Sequence, residues 1–582
     1  MKFRWSLPEP NLSLVSSVAQ AADVPPLLAQ CLVNRGLTAS LDVAAFLEPR
    51  LKSLLDPFLL PHMEQAVARL WLARERSEKI TIFGDYDVDG ITASALLMEV
   101  LGSLGWSVNC YLPHRFDEGY GLSIEALESC LKTYPAQLLV AVDCGSSAVE
   151  PLAWLRQRGL DVLILDHHQL SIPHPSVVAL VNPRVNLDEA GHPREPGPDF
   201  LELCSVGLAF KLAHAVLKRG REAGLPGAAE FDLKTVLDLV ALGTIADLVP
   251  LCGENRVLVN AGLASLGRRK RLGINRLMEV AKCQEIPDVY QVGYQLAPRL
   301  NAAGRLETAR AAFDLLLTGD AAVATKLAGK LDEQNRERQR IERTISQEAL
   351  VSAQRRFNSD TDFVIVEAQS HWHVGVVGIV ASRILHHFYR PTIVLGGEGA
   401  SLRGSGRSIP GFDLAAALRE CGDLLQKHGG HAMAAGMTLA PENLELFRIR
   451  LNEVAQRMLT ADHLQPMLRL DGEVRLKDMD LATLVQLERL RPTGQGNPPV
   501  HFFARGLTHE RPLQRLGAEK QHVKLWVTDK AWQQECVWWG AGQDALPVGR
   551  FDLAFSPQIN HYNGRRQVQL KVLDWRPAGE PL

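Results

Sequence analysis

The chain has 582 residues, too many for one hydrophobic core, so about three or four domains are expected. Its 46% apolar and 22% charged residues match an ordinary folded protein, and no apolar stretch approaches the roughly 18 residues of a membrane span. A net charge of −3 lacks the basic excess of many dedicated nucleic-acid binders, and the nine cysteines are scattered singly. That spacing argues for reduced thiols in the cytosol, against a disulfide framework or zinc ribbon.

The first ten residues lack the apolar run of a secretory signal. Up to about residue 70 the pattern is of short helices broken at Pro25, Pro26, Pro57 and Pro61. From Lys79, short apolar runs alternate with amphipathic stretches. Buried strands are predicted over Ile80–Phe83, Leu138–Val142 and Val162–Leu165, with helices over Ile91–Leu104 and Ile124–Lys132. This alternation predicts a parallel sheet covered on both faces. The basic run Arg268, Arg269, Lys270 and Arg271 reads equally well as a solvated loop.

Residues 320–357 predict one long polar helix capped by Asp320, with Lys326, Lys330, Glu333, Glu337, Arg338 and Glu342 at helical spacing. Too little of it is apolar to be core on all sides, so it is expected to bridge two domains. A second α/β unit follows, with strands near Phe363–Val366 and Thr392–Leu395 and a helix from Gly378 to about His387. Runs at Val523–Thr528, Glu535–Trp539, Phe551–Ser556 and Gln567–Val572 predict a small closed β-structure.

Three segments carry chemistry. Asp85, Asp87 and Asp89 alternate directly after the first predicted strand. If the chain stays extended, their carboxylates converge on one side, as hard divalent cations require. An EF-hand would need a bidentate glutamate where Leu96 stands. Capping of the following helix explains one aspartate, not three. Asp143 ends the second strand, and Asp166, His167 and His168 follow the third. A lone aspartate after a strand is usually a turn. Three consecutive strand ends bearing Asp or His point to one metal site at the carboxyl edge of a parallel sheet, suited to Mn²⁺ or Mg²⁺. Asp247, after the apolar run Leu237–Leu242, is expected at a further strand end.

Asp-Tyr-Asp-Val-Asp-Gly at 85–90, Val-Asp-Cys-Gly at 142–145, Asp-His-His at 166–168 and Gly-Thr-Ile-Ala-Asp at 243–247 resemble, in that order, the motifs of the DHH phosphoesterases. The resemblance implies that Asp85, Asp87, Asp143, His167 and Asp247 bind one or two Mn²⁺ or Mg²⁺ ions. Beside them, Asp89, Asp166 and His168 would serve catalysis, with His168 managing a proton.

Further segments, Pro298–Arg305, Trp372–Arg383, Arg403–Ser408 and Gly429–Ala432, resemble the bacterial single-stranded-DNA exonuclease family within that superfamily, the last three belonging to its DHHA1 domain. Leu490–Pro498 resembles the entry to that family's C-terminal OB-fold. The implied architecture is an N-terminal helical segment (1–70), a DHH domain (71–255), a helical connector (256–357), a DHHA1 domain (358–460) and an OB-fold β-barrel (461–582). Two departures are Phe83, where many DHH proteins carry a histidine, and Thr493, where the family has an aromatic.

The resemblance implies a 5′→3′ exonuclease that releases 5′-mononucleotides from single-stranded DNA in recombination and repair, including mismatch repair. Arg299, Asn301, His373, Ser382, Arg383, Arg407, Gly430 and His431 would hold the strand across a cleft. Lys524, Trp526 and Arg565 would do so in the OB-fold. A single-strand-binding protein and a RecQ-type helicase are implied as partners of a monomeric, cytoplasmic enzyme with no membrane association. A phosphodiesterase for short or cyclic dinucleotides would have no use for a strand-binding domain. A non-catalytic scaffold would have no reason to bear the repulsion of clustered carboxylates.

Overall fold

The computed structural model describes residues 3–114, 118, 119, 121–188, 191, 192, 200–397, 401–562 and 564–580. They form two compact units. One holds Ala45–Glu337 with Leu490–Pro498, the other Met1–Ala44, Arg338–Arg489 and Pro499–Leu582. The stretch 1–70 is thereby shared between them. No single helix among the described residues is long and apolar enough to cross a membrane.

The first unit is built on a five-stranded parallel sheet. In chain order its elements are β1 (Lys79–Gly84), α1 (Val88–Ser103), β2 (Ser107–Tyr111), α2 (Ile124–Thr133), β3 (Leu138–Val142), α3 (Val149–Gln157), β4 (Asp161–Leu165) and β5 (Ala179–Val181). The strand order is β2-β1-β3-β4-β5. Order reverses between β1 and its neighbours, so the carboxyl ends of β1 and β3 flank the crevice where open α/β sheets bind ligands. Ile82, Val140 and Leu163 pack into one core cluster, and Phe83, Ala141 and Ile164 into another. Burial on both faces is why these strands read as continuous apolar runs. Phe83 belongs to that second cluster, its ring 5.7 Å from Tyr111, so the position of the missing histidine is filled by core packing.

The helical remainder of this unit contributes α4 (Ser205–Glu222), α5 (Leu237–Ala246), α6 (Gly253–Gly267), α7 (Leu272–Val280) and α8 (Ala297–Leu306). The apolar run 237–242 therefore opens a helix, which corrects the strand expected before Asp247. Leu237 through Ile245 are all buried. A helix buried on every side shows no amphipathic period, and its sequence is indistinguishable from a buried strand. The basic run divides: Arg268 and Lys270 are exposed, whereas Arg271 is mostly buried and paired with Asp238. The long helix α9 runs over Ala321–Arg356, and the Asp320 carboxylate accepts the N–H groups of Ala322 and Val323 at its start.

The second unit contains β6 (Ile365–Ala368), α10 (Val377–Phe388), β7 (Thr392–Gly396), β8 (Leu402–Arg407), β9 (Leu425–His431) and β10 (Ala434–Leu439) in a mixed sheet ordered β9-β10-β8-β7-β6. Its barrel is formed by β11 (Phe502–Leu516), β12 (His522–Thr528), β13 (Gln533–Trp538), β14 (Phe551–Tyr562) and β15 (Arg565–Pro577). The order is β11-β12-β13-β15-β14, and a β11–β14 pairing closes it. The N-terminal residues seal one side of this barrel. Trp5 donates its Nε1–H to Asp574 at 3.0 Å and lies under the Arg576 guanidinium at 4.4 Å.

Candidate functional site

The loop after β1 turns sharply into α1. Asp87 is the helix N-cap, its carboxylate accepting the N–H groups of Asp89 at 3.0 Å and Gly90 at 3.2 Å. A side chain at Gly90 would meet the Asp85 backbone at 2.7–2.9 Å, so only glycine lets the helix start this close to the strand end. Asn301 of α8 holds the same turn, accepting the Val88 N–H at 3.2 Å. Asp143 follows β3 with φ 64°, in the left-handed region that aspartate tolerates better than most residues, and is buried. Asp166, His167 and His168 follow β4. Asp247 is the C-cap of α5 and arrives from a helix end, not a strand end.

These groups converge. The His167 Nε2 lies 3.4 Å from Asp247 Oδ2, 3.6 Å from Asp143 Oδ1 and 3.9 Å from Asp89 Oδ2. Three sets of atoms each fall within 4.8 Å of one another: Asp85–Asp87–Asp143, Asp143–His167–His168 and Asp89–Cys204–Asp247. Both His167 Nε2 and Asp247 Oδ2 are buried without a hydrogen-bond partner among the described residues. Buried polar atoms are rarely left so, and donors about 3 Å apart are what an ion with ligands near 2.1 Å collects. The donor set, carboxylate oxygens with imidazole nitrogen, fits Mn²⁺ or Mg²⁺.

The electrostatics carry the same mark. Burial, followed by the charges of Asp89, Asp87, Asp85 and Asp247, drives the Asp143 carboxyl far above the usual range. Burial, then Asp89 and Asp87, lifts Asp247 to about 9, and burial with Asp87 lifts Asp89 to about 6. Burial also lowers His167 to about 4, keeping its imidazole neutral and able to ligate. His168 differs. Burial opposes its charge, but the Asp166 carboxylate accepts its Nδ1–H at 2.7 Å and raises it to about 9. Asp166 is itself held low by that contact despite its burial.

Asp89 and Ser205 refine this arrangement. The two Asp89 oxygens accept the Ser205 N–H at 2.7 Å and the Val206 N–H at 2.8 Å, so Asp89 anchors the first turn of α4. Ser205 also donates its hydroxyl to Asp143 Oδ1 at 2.9 Å. Sequence reasoning missed Ser205. Its signal was a lone hydroxyl residue opening an apolar helix. Asn182, also missed, ties Ser146 and the His168 carbonyl together at 2.9 Å each.

The remaining sequence-derived residues are placed as follows. Arg299 is mostly buried, pairing with Asp332 at 2.9 Å, so its guanidinium is engaged within the fold. Arg383 pairs with Glu342 at 2.5 Å, and the Ser382 hydroxyl donates to the Gly378 carbonyl. Arg407 donates to Ser405 Oγ and the Gly406 carbonyl, with no carboxylate partner among the described residues. A side chain at Gly378 would meet Arg407 Nη2 at 3.0 Å, so glycine leaves room for a guanidinium beside the first turn of α10. That pairing of helix N-terminus and cation suits a phosphate. His373 accepts the Gly375 N–H at 3.1 Å, while Gly430 and His431 end an exposed strand. In the barrel, the Trp526 ring centroid lies 4.5 Å from the Arg511 guanidinium and 5.1 Å from the Lys524 ammonium. Lys524 also pairs with Glu535, and Arg565 is exposed.

The chain matches the DHH family N-terminal domain over residues 79–244, the DHHA1 domain over 360–457 and the RecJ OB domain over 470–574. It is 38% identical over 582 residues to the single-stranded-DNA-specific exonuclease RecJ of Bacillus subtilis, spanning 98% of this chain and 71% of that one. To RecJ of Escherichia coli K12 it is 34% identical, spanning 95% and 96%. Among solved structures, RecJ in complex with Mn²⁺ from Thermus thermophilus superimposes with a TM-score of 0.84 at 30% identity, covering 100% of this chain and 80% of that one. The Mg²⁺ complex from the same organism gives a TM-score of 0.78 at 29% identity, covering 100% and 79%.

Proposed function

The chain belongs to the RecJ family of single-stranded-DNA-specific exonucleases, and from that premise we propose how its own residues carry out the reaction. It is a metal-dependent exonuclease on single-stranded DNA. The observation that carries the metal dependence is that His167 Nε2 and Asp247 Oδ2, 3.4 Å apart and buried, have no hydrogen-bond partner among the described residues, beside the raised Asp143 carboxyl. Asp85, Asp87, Asp143, His167 and Asp247 would hold one or two Mn²⁺ or Mg²⁺ ions. A bound divalent ion there supplies an acidified water and charge neutralisation at the phosphodiester.

The protein's part is positioning. Asp89 and Ser205 fix the aspartates through the α4 N-terminus. His168, whose Nδ1–H the Asp166 carboxylate accepts and whose charged form that carboxylate favours, is positioned to donate a proton to the leaving oxygen. Arg407 and the first turn of α10 receive a strand phosphate, supporting recognition of the 5′ end and 5′→3′ release of 5′-mononucleotides. Arg511 and Lys524 beside the Trp526 ring suit contact with the strand's phosphate backbone in the barrel. The nine cysteines are all free thiols, which supports a cytoplasmic setting. Action in recombination and repair, including mismatch repair, beside a RecQ-type helicase and a single-strand-binding protein follows from the family resemblance.

The test is degradation of 5′-labelled single-stranded DNA, duplex DNA and a dinucleotide with Mn²⁺, Mg²⁺ or chelator. Labelled mononucleotide is expected from the single strand alone, and only with metal. Equal activity on duplex, or activity confined to dinucleotides, would overturn the reading.

A further inference from the structure

A pair of exposed tyrosines lies outside every motif considered so far. Tyr290 and Tyr294 are 63% and 68% exposed, with ring centroids 4.9 Å apart and planes 25° from parallel. Each covers one face of the other, leaving the outer faces to water. A stacked pair one turn apart contributes only a few tenths of a kcal/mol to a helix, too little to account for two large aromatics at the surface.

Their backbone is unusual as well. The turn Val289–Gln291 runs into a π-helical segment, Val292–Leu296, and then into α8. Such segments are rare and concentrate at functional sites. This one is tied to the metal-centre loops at two points. Gly293 packs against α5, where a side chain would lie 3.6 Å from Ile245, two residues before Asp247. Further along, Asn301 accepts the Val88 N–H and Gly304 abuts the Tyr86 carbonyl, where a side chain would be 2.9 Å away. The tyrosines are thus carried on a segment that runs into α8 and packs against the elements bearing Asp87 and Asp247.

We propose that Tyr290 and Tyr294 form a stacking platform for a nucleobase of the substrate strand, a few nucleotides from the scissile phosphate. The proposal rests on the single-strand reading of the metal centre. Tyrosine offers a flat, sequence-tolerant face to any base without a large apolar patch, which suits an enzyme that must accept every sequence. Seven residues separate Tyr294 from Asn301, about 10 Å along a helix. At about 3.4 Å per stacked nucleotide this is about three nucleotides. A dinucleotide therefore falls short of the platform, and longer strands reach it.

The full-length Tyr290→Ala/Tyr294→Ala variant, assayed with saturating Mn²⁺, is expected to raise KM for a 20-nucleotide strand about tenfold. Its kcat should stay within about twofold, and the Ki of a dinucleotide added as competitor should not change. Tyr290→Phe/Tyr294→Phe should restore wild-type KM, because the stacking face survives. Unchanged KM for the 20-mer, or an equal rise in the dinucleotide Ki, overturns the proposal. So does a wild-type dimer that dissociates in the Ala variant, since the patch then binds a second copy. Wild-type protein that degrades no single-stranded DNA overturns the exonuclease reading instead, a separate result.

Discussion

Helices α1 and α5 each carry carboxylates at both ends, and the two ends are treated oppositely. At one end lie Asp87 and Asp89 of α1 and Asp247 of α5, with Asp85 and Asp143 beside them. At the other lie Glu99 of α1 and Asp238 of α5, and between these sits Arg271. Its Nε meets Asp238 at 2.8 Å, and its Nη1 meets Glu99 at 2.7 Å and the Leu316 carbonyl at 3.1 Å. The far cluster contains its own cation. Burial raises the Asp238 carboxyl too, but the near cluster has more carboxylates, with Asp143 and Asp247 raised by their neighbours' charges as well as by burial, and buried atoms without hydrogen-bond partners among the described residues. Buried carboxylates supplied with a guanidinium are architecture, whereas those left without one await a cation from solution.

The sharpest way to break this comparison is to remove one carboxylate from each end. Asp143→Ala should lower kcat on 5′-labelled single-stranded DNA by about a thousandfold or more, since several kcal/mol of transition-state stabilisation go with the ion. Asp238→Ala should leave kcat within about tenfold. A similar loss from both would mean that the far cluster is not merely architectural.

Stability should show the reverse order. Arg271→Met leaves the buried Asp238 and the part-exposed Glu99 without their cation, and should cost about 3 kcal/mol in urea unfolding. Asp143→Asn in metal-free protein removes repulsion and should stabilise it by about 1 kcal/mol. If Asp143→Asn destabilised the metal-free protein as much as Arg271→Met, His168 would already compensate the near carboxylates as fully as Arg271 compensates the far ones.

A smaller effect is expected one layer out. Asp166→Asn removes the carboxylate that accepts the His168 Nδ1–H, and should weaken activity about 10- to 100-fold. With that acceptor gone, the His168 pKa should fall from about 9. An NMR titration of the chelated protein would detect this.

The near cluster was legible in the sequence where it sits on strands. Asp85, Asp87, Asp143, Asp166 and His167 follow short apolar runs, and strand alternation with helices placed those runs in one parallel sheet. Asp247 was legible as a ligand candidate by its motif but not by its element, because α5 is buried on every side and shows no period. Ser205 and Asn182 were not legible. Their roles depend on α4 and β5 arriving from elsewhere in the fold, which no local pattern announces. The far cluster was half visible. Four consecutive basic residues drew notice, but only packing selected Arg271 for the buried role and left Arg268 and Lys270 exposed.

The smallest and most diagnostic effect is the pH dependence of the metal-free protein. Asp247 at about 9 and Asp89 at about 6 lie above the ordinary carboxyl value near 4, so the folded state holds their protons more tightly than the unfolded chain does. Their stabilising contribution is complete below about pH 4 and is lost as pH rises through the folded values. His168, raised to about 9, acts in the same direction. His167, lowered to about 4, acts oppositely, but its effect is finished by about pH 6.5. Between pH 7 and 9 the chelated protein should therefore lose Tm steadily. Added Mn²⁺ replaces those protons and binds more tightly as pH rises, so the Tm gap between loaded and chelated protein should widen over the same window. Asp247→Asn should flatten the chelated profile. A gap that stayed constant from pH 7 to 9 would mean that the near carboxylates are already compensated from within.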